Sequence, residues 1–149
     1  MLERLKEMRD NKKGFTLVEL IVVLVILAIL AALLIPALTG YIDKAKEKQI
    51  VAETRQVVMA AQTLTDEQYA GITDGSAVVY NNTTTDPGTR VPKTIYAFDI
   101  LKLAEVKGTI IDVKFDSTDK GVVSEVKYNS NGKTCTYTQS NGQYNVTTP

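Results

Sequence analysis

The chain has 149 residues, 17 basic and 17 acidic side chains, no histidine and one cysteine, Cys135. The missing histidine excludes Ser/His and Cys/His catalytic pairs, and a single cysteine excludes an intramolecular disulfide and a Cys/His zinc site. A net charge of zero supplies no basic field for nucleic acid. The composition therefore predicts neither an enzyme nor a nucleic-acid-binding protein, and it calls for no cofactor or metal.

An apolar segment follows a charged amino terminus. Residues 1–14 hold five basic and three acidic side chains, and residues 15–38 are apolar except at Thr16, Glu19 and Pro36. Twenty-four helical residues span about 36 Å, enough to cross a hydrocarbon core of roughly 30 Å. Because the basic residues come first, the positive-inside rule predicts a single span with its amino terminus in the cytoplasm.

Three kinds of segment share this pattern: a secretory signal peptide, a plain single-pass anchor, and an anchor with a further role. A signal peptide needs a small residue after the apolar run, which Ala37 or Gly40 would supply. Glu19 favours the third kind. A carboxylate inside an apolar membrane helix costs up to ~3 kcal/mol and normally has a partner or a function.

The sequence KKGFTLVEL at residues 12–20 resembles the class III signal of type IV pilins and pseudopilins. The resemblance implies that a prepilin peptidase cleaves between Gly14 and Phe15, removes residues 1–14 as a leader, and N-methylates Phe15. It also implies that Glu19, fifth in the mature chain, pairs with the terminal amine of a neighbouring subunit during assembly. An unpaired charge in a dry helix bundle is far more costly than a paired one, which agrees with that role.

The family also implies an architecture, partners and a location. We expect an α+β type IV pilin fold, in which residues 15–38 form the membrane and filament-core half of a long helix and residues 39–149 form the head. Partners would be identical subunits, the prepilin peptidase, and the platform protein and ATPase of pilus assembly. The precursor would lie in the cytoplasmic membrane and the assembled subunit on the cell surface.

The residues after the apolar segment predict how the helix continues. Pro36 lacks an amide hydrogen, so we expect a kink or local melting there. Ile50, Val57, Ala61 and Leu64 recur at helical spacing, which predicts that the helix runs to about residue 64 and buries this face against a sheet.

The rest of the head divides into a loop and a sheet. Residues 65–95 correspond to the αβ-loop of pilins, with a short strand at residues 78–80, and residues 96–105 predict a short helix in which Phe98, Leu101 and Leu103 are partly buried. Strands are expected at 110–115, 122–128, 133–138 and 143–146, an antiparallel meander within 110–147. Asn131-Gly132 and Asn141-Gly142 predict two of its tight turns.

Two side-chain features of the sheet are open to more than one interpretation. Strand alternation puts Val122, Val126 and Tyr128 on one face and makes Cys135 a buried small hydrophobe rather than a reactive thiol. Many pilins of Gram-negative organisms have a disulfide in this region, so its exclusion points to a pilin of a Gram-positive bacterium. The acidic cluster at residues 112–119 has no EF-hand spacing and is better explained as a solvated turn than as a calcium site.

The function predicted from the sequence is a structural one. A major pilin would polymerise into a surface fibre for adhesion, aggregation, biofilm formation or twitching motility. A pseudopilin of a secretion or competence system is the close alternative, and a bitopic membrane receptor is the alternative from another class.

Overall fold

The structure is a computed structural model that describes residues 14–148. The predicted leader lies outside this range except for Gly14. The described residues form two helices and six strands in the following order: α1 Leu17–Ala70, β1 Val79–Asn81, β2 Thr94–Tyr96, α2 Ala97–Ala104, β3 Thr109–Phe115, β4 Val123–Ser130, β5 Lys133–Thr138 and β6 Gln143–Thr147.

The chain divides into two compact units, the first ending at Ile42 and the second beginning at Asp43. In the first unit, α1 is apolar and its large side chains are exposed, from Leu17 at 73% to Leu38 at 61%. In the second unit, α1 is amphipathic and buries a stripe that includes Ile50, Val57 and Ala61. The predicted α+β layout, a long helix with an apolar start followed by a four-stranded antiparallel sheet, is confirmed.

The helix is longer than the sequence pattern predicted. It continues through Pro36 without interruption and ends at Ala70 rather than near residue 64. Beyond Leu64, Thr65 is fully buried and its hydroxyl donates to the Ala61 carbonyl at 2.7 Å. Because its hydroxyl is hydrogen-bonded within the helix, Thr65 can be buried, and it extends the buried stripe of α1. A pattern of apolar residues alone does not include a threonine.

The main sheet has the strand order β3-β4-β5-β6, with every neighbouring pair antiparallel. Asn131 and Gly132 both have positive φ, 52° and 74°, as a two-residue type I′ turn requires. This turn sets the Ser130↔Lys133 register and places Tyr128 opposite Cys135. Tyr128 and Cys135 are both fully buried, so the predicted burial of Cys135 is confirmed.

One part of the strand alternation was wrong. Val126 and Tyr128 are buried as predicted, but Val123 rather than Val122 completes the buried face. The cause is a register shift in the β3–β4 ladder, where Lys114 pairs with Glu125 but Phe115 pairs with Val123. An irregularity of this kind changes which side chains face the core.

The αβ-loop contains a pairing that the sequence did not reveal. The predicted short strand is present as β1, but it pairs in parallel with β2, which was not predicted. The loop is also held by ion pairs, since Arg90 bridges Asp86 and Asp99 and Lys93 binds Asp74 at 2.6 Å.

The predicted short helix is confirmed as α2, although its apolar positions divide differently from the prediction. Ala97, Ile100 and Ala104 are buried, whereas Leu103 is 52% exposed. The expected partial burial of Leu103 was therefore wrong. The buried residues of α2 lie on a face of the helix that does not include Leu103, so the Leu103 side chain faces solvent.

Tyr128 links the sheet to α1 through its hydroxyl. The hydroxyl donates to the Glu53 carboxylate at 2.9 Å and accepts from the Gly108 N–H at 2.8 Å. Burial, with the nearby Glu53 carboxylate, raises the pKa of Tyr128 to about 12. The tyrosine therefore stays neutral and continues to donate across the ordinary pH range.

Replacing Gly108 with alanine should destabilise this arrangement. A Cβ at Gly108 would collide with the hydroxyl and ring of Tyr128 and with the Asn129 carbonyl. We expect a loss of about 1–3 kcal/mol, as for other overpacked sites, measured by denaturant unfolding of the full chain in detergent. Gly71→Ala is the control: its Cβ meets only the Gln68 carbonyl at 3.6 Å, so stability should change by about 0.5 kcal/mol or less. Equal effects in the two variants would contradict this account.

Candidate functional site

The first turn of α1 holds the Glu19 carboxylate in a closed set of hydrogen bonds. The Thr16 N–H donates to Glu19 Oε2 at 2.8 Å, and the Thr16 hydroxyl donates to the same oxygen at 2.9 Å. In return the Glu19 N–H donates to Thr16 Oγ1 at 3.2 Å. This is a capping box, in which the residue before the helix and the third helical residue satisfy each other's polar groups.

The capping box gives Glu19 a partner within its own chain. A carboxylate near the amino terminus of a helix also interacts favourably with the helix dipole. Both effects lower the free-energy cost of placing this carboxylate at the start of an apolar helix. The sequence interpretation assigned Glu19 a partner in another subunit and missed Thr16, although the Thr-x-x-Glu spacing is the recognised sequence signature of a capping box.

The predicted cleavage bond lies immediately before this turn. Gly14, Phe15 and Thr16 precede the helix and are exposed, and space is open around the Gly14 Cα, where an added Cβ would meet nothing within 4 Å. Because the bond is outside the helix, no helical hydrogen bond has to break for a peptidase to reach it. The geometry is compatible with cleavage between Gly14 and Phe15.

The apolar part of α1 is long enough to cross a membrane. Its most apolar eighteen-residue window has a mean hydropathy of 3.3, and none of that window is buried within the chain. Pro36 lies inside this helix, and the Thr39 hydroxyl donates to the Pro36 carbonyl at 2.9 Å. The kink expected at Pro36 stays a prediction.

Two carboxylates of the acidic cluster accept hydrogen bonds from the backbone of their own loop. The backbone N–H groups of Asp119 and Thr118 donate to the Asp116 carboxylate at 2.9 and 2.7 Å, and they lower its pKa. Asp119 in turn accepts from the Gly121 N–H at 3.3 Å. Within residues 14–148 no group of three or more His, Cys, Asp or Glu side chains is placed to hold a metal ion.

Comparison with known proteins identifies the amino-terminal segment. Residues 9–35 match the prokaryotic N-terminal methylation motif. The chain carries the N-terminal methylation motif of type IV prepilins. Two type IV major fimbrial proteins FimA of Dichelobacter nodosus are 36% and 40% identical to it over 56 residues.

The similarity to these fimbrial proteins is confined to part of each chain. The matched segment is 38% of this chain and 36% of the length of each relative. No solved structure matches the chain. The similarity therefore covers 56 residues and does not extend over the whole chain.

Removing the Thr16 hydroxyl should loosen the first turn of α1. Thr16→Val keeps the size of the side chain but abolishes one donor to Glu19 and the acceptor of the Glu19 N–H. Loss of a cap of this kind costs about 0.5–2 kcal/mol. Hydrogen exchange of the Glu19 amide, measured by NMR on the full chain in micelles, should therefore accelerate by about 2- to 30-fold.

Thr16→Ser is the matched control, because it retains the hydroxyl and should exchange at nearly the original rate. If Thr16→Val exchanged no faster than Thr16→Ser, the capping box would have no energetic role.

Proposed function

We propose that this prepilin is the structural subunit of a type IV pilus, polymerising through its amino-terminal helix into a surface fibre. The observation that carries the proposal is the exposed apolar part of α1, residues 17–38, which overlaps the methylation motif and contains one carboxylate, Glu19. A helix that buries none of its apolar window within its own chain requires another apolar environment. The membrane supplies that environment before assembly, and a bundle of identical helices supplies it afterwards.

Processing and assembly then follow in a fixed order. Cleavage between Gly14 and Phe15 removes the leader and creates an ammonium at the start of the helix, and methylation of Phe15 leaves its positive charge in place. This ammonium is unfavourable near the helix amino terminus, where the dipole is positive. The Glu19 carboxylate of a neighbouring subunit can neutralise it, and that pairing would fix the axial register of the fibre.

The remaining parts of the proposal concern location and partners. The precursor is a single-pass protein of the cytoplasmic membrane with its amino terminus inside, and the mature subunit lies in a surface pilus. It meets a prepilin peptidase, a platform protein and an assembly ATPase. Type IV pilins are structural rather than catalytic proteins, and the fibre would serve adhesion, aggregation, biofilm formation or twitching.

A pseudopilin of a secretion or competence system shares the same motif. The similarity of the amino-terminal segment to major fimbrial proteins favours the pilus. Deleting the gene separates the two functions: loss of fibres with normal protein secretion and DNA uptake supports the pilus, and the reverse result supports the pseudopilin.

The decisive measurement is mass spectrometry of the protein in sheared surface fibres. We expect a mature chain that starts with N-methylated Phe15. An intact Met1 on a protein that stays in the membrane would instead indicate a bitopic anchor and would overturn the proposal.

The proposed charge pairing can be separated from helix capping by substitution at Glu19. Glu19→Gln keeps an oxygen that accepts from Thr16 but removes the negative charge, and Glu19→Ala removes both. Both variants should be cleaved normally, because the bond at Gly14 precedes the helix, and both should fail to form fibres. Processing is read by mass spectrometry of membranes and assembly by the yield of sheared fibres. Normal fibre yield from Glu19→Gln would show that the negative charge has no role in register.

A further inference from the structure

A groove with a basic rim lies between α1 and β6 in the second unit. It encloses about 680 Å³, and its apolar floor includes Val51, Tyr144 and Val146. The cationic side chains along it are Lys44, Lys48 and Arg55, and all three residues are exposed. We refer to it as the β6 groove.

The positive charge of the β6 groove is not neutralised locally. Its one acidic lining residue, Glu47, already contacts the buried Lys133 ammonium at 3.4 Å. Among residues 14–148, the ion pairs include none to the three cations of the rim. Arg55 lies 5.1 Å from the centre of the Tyr144 ring, which holds its guanidinium in place over the floor.

A second groove lies between α1 and α2. It encloses about 530 Å³ and has Leu64, Ile95 and Leu103 among its apolar lining residues. Leu103 also lines an adjoining depression that contains Met59 and Glu105. Met59 is 63% exposed and Leu103 is 52% exposed, so apolar surface projects here. We refer to the two depressions together as the α2 groove.

The α2 groove has the opposite charge. Its lining includes three carboxylates, Glu67, Asp99 and Glu105, and two cations, Arg90 and Lys102. Asp99 and Arg90 are paired with each other at 2.6 Å. Glu67, Glu105 and Lys102 make no ion pair within the described part of the chain, which leaves two unpaired carboxylates and one unpaired cation. Acidic charge is therefore in excess, beside apolar side chains that face solvent.

The two grooves lie on opposite flanks of one helix. At about 100° per residue, Val51 and Arg55 lie to one side of the buried positions Val57 and Ala61, and Glu67 lies to the other side. A contact between two different faces repeats from subunit to subunit and builds an open fibre, whereas a face that binds itself closes into a dimer. Self-contact of the β6 groove would also oppose cation to cation.

We propose that the β6 groove of one head binds the α2 groove of the next copy, so that apolar surfaces meet at the centre and opposite charges meet at the rim. The inference rests on the proposed function, because a second copy is the partner that a fibre presents at every position. It assigns to the head a contact separate from the helix bundle and from Glu19.

Charge reversal tests this contact in cells that express the full chain. Lys44→Glu/Lys48→Glu makes both grooves acidic, and Glu67→Lys/Glu105→Lys makes both basic. Each variant should lower the yield of sheared fibres by about tenfold or more, because like charges are brought together. The chain with all four changes should recover fibres. The control Lys46→Glu/Lys107→Glu has the same change in net charge as Lys44→Glu/Lys48→Glu, lies outside the lining of both grooves, and should assemble normally.

Cross-linking keeps the test informative if a reversed head fails to fold. Lys48→Cys/Glu67→Cys in assembled fibres, treated with a short bifunctional maleimide, should give a ladder of covalent oligomers. Lys46→Cys/Glu67→Cys is the matched control and should stay monomeric, since Cys135 is buried. The amount of processed protein in the membrane reports folding in every variant.

The outcomes distinguish this inference from the proposed function. If wild-type fibres form but the reversed chains assemble equally well, or the cross-link ladder is absent, the contact is refuted and the pilus function stands. If Lys44→Glu/Lys48→Glu assembles normally but no longer binds a polyanion such as double-stranded DNA, the β6 groove binds an acidic polymer and the contact is likewise refuted. If the wild-type chain forms no fibres, both proposals fail together.

Discussion

The apolar amino-terminal helix has to accommodate one charged group, the Glu19 carboxylate. A charged group in an apolar segment has to be bonded, and here the bonds come from Thr16, three residues earlier in the same chain. Glu19 thus has hydrogen-bond partners within its own chain, without any second copy. Under the proposed function, cleavage would create a terminal ammonium, and its positive charge would add a Coulomb attraction to this carboxylate that the neutral donors of Thr16 do not supply. In that proposal, exchange of Thr16 for the ammonium as the partner of Glu19 would distinguish an unassembled subunit from an assembled one.

The same helix serves a different purpose in the head, where its buried stripe forms the core with the sheet. Polar groups along that stripe are bonded rather than excluded. Thr54 and Thr65 donate to carbonyls of their own helix, and Gln62 both donates to the Gly121 carbonyl and accepts from the Val123 N–H. Within residues 14–148 no buried side-chain nitrogen or oxygen lacks a partner. Such bonds fix how the strands lie on the helix, because an apolar stripe alone would tolerate several arrangements.

Most of the fold could be predicted from local signals, and the errors arise where distant residues decide. The Asn131-Gly132 turn and the strands beside it depend on neighbours in sequence, so their positions were predicted closely. The β1–β2 pair joins three residues to three others across the αβ-loop, and nothing in either short segment indicates a parallel partner. The exchange of Val122 for Val123 comes from a register shift in the ladder with β3. For the candidate site, the roles of Gly14, Phe15 and Glu19 stay predictions. The capping bonds from Thr16 were not predicted, because a carboxylate in an apolar segment was expected to need a cation rather than neutral donors of its own helix turn.

Affinity and specificity would come from different parts of the chain in a polymer of this subunit. The apolar helix can supply a large favourable free energy, but an apolar surface accepts many relative positions of two helices. Charged groups contribute more to specificity than to affinity. An unpaired charge or a contact between like charges costs free energy, whereas a correctly paired exposed charge stabilises the contact only slightly. Glu19 can therefore define the register of the helices along the fibre. The oppositely charged flanks of α1 can define which side of one head meets the next. A subunit that has both features needs only weak contacts between heads to select one fibre geometry out of the many that the helices alone would permit.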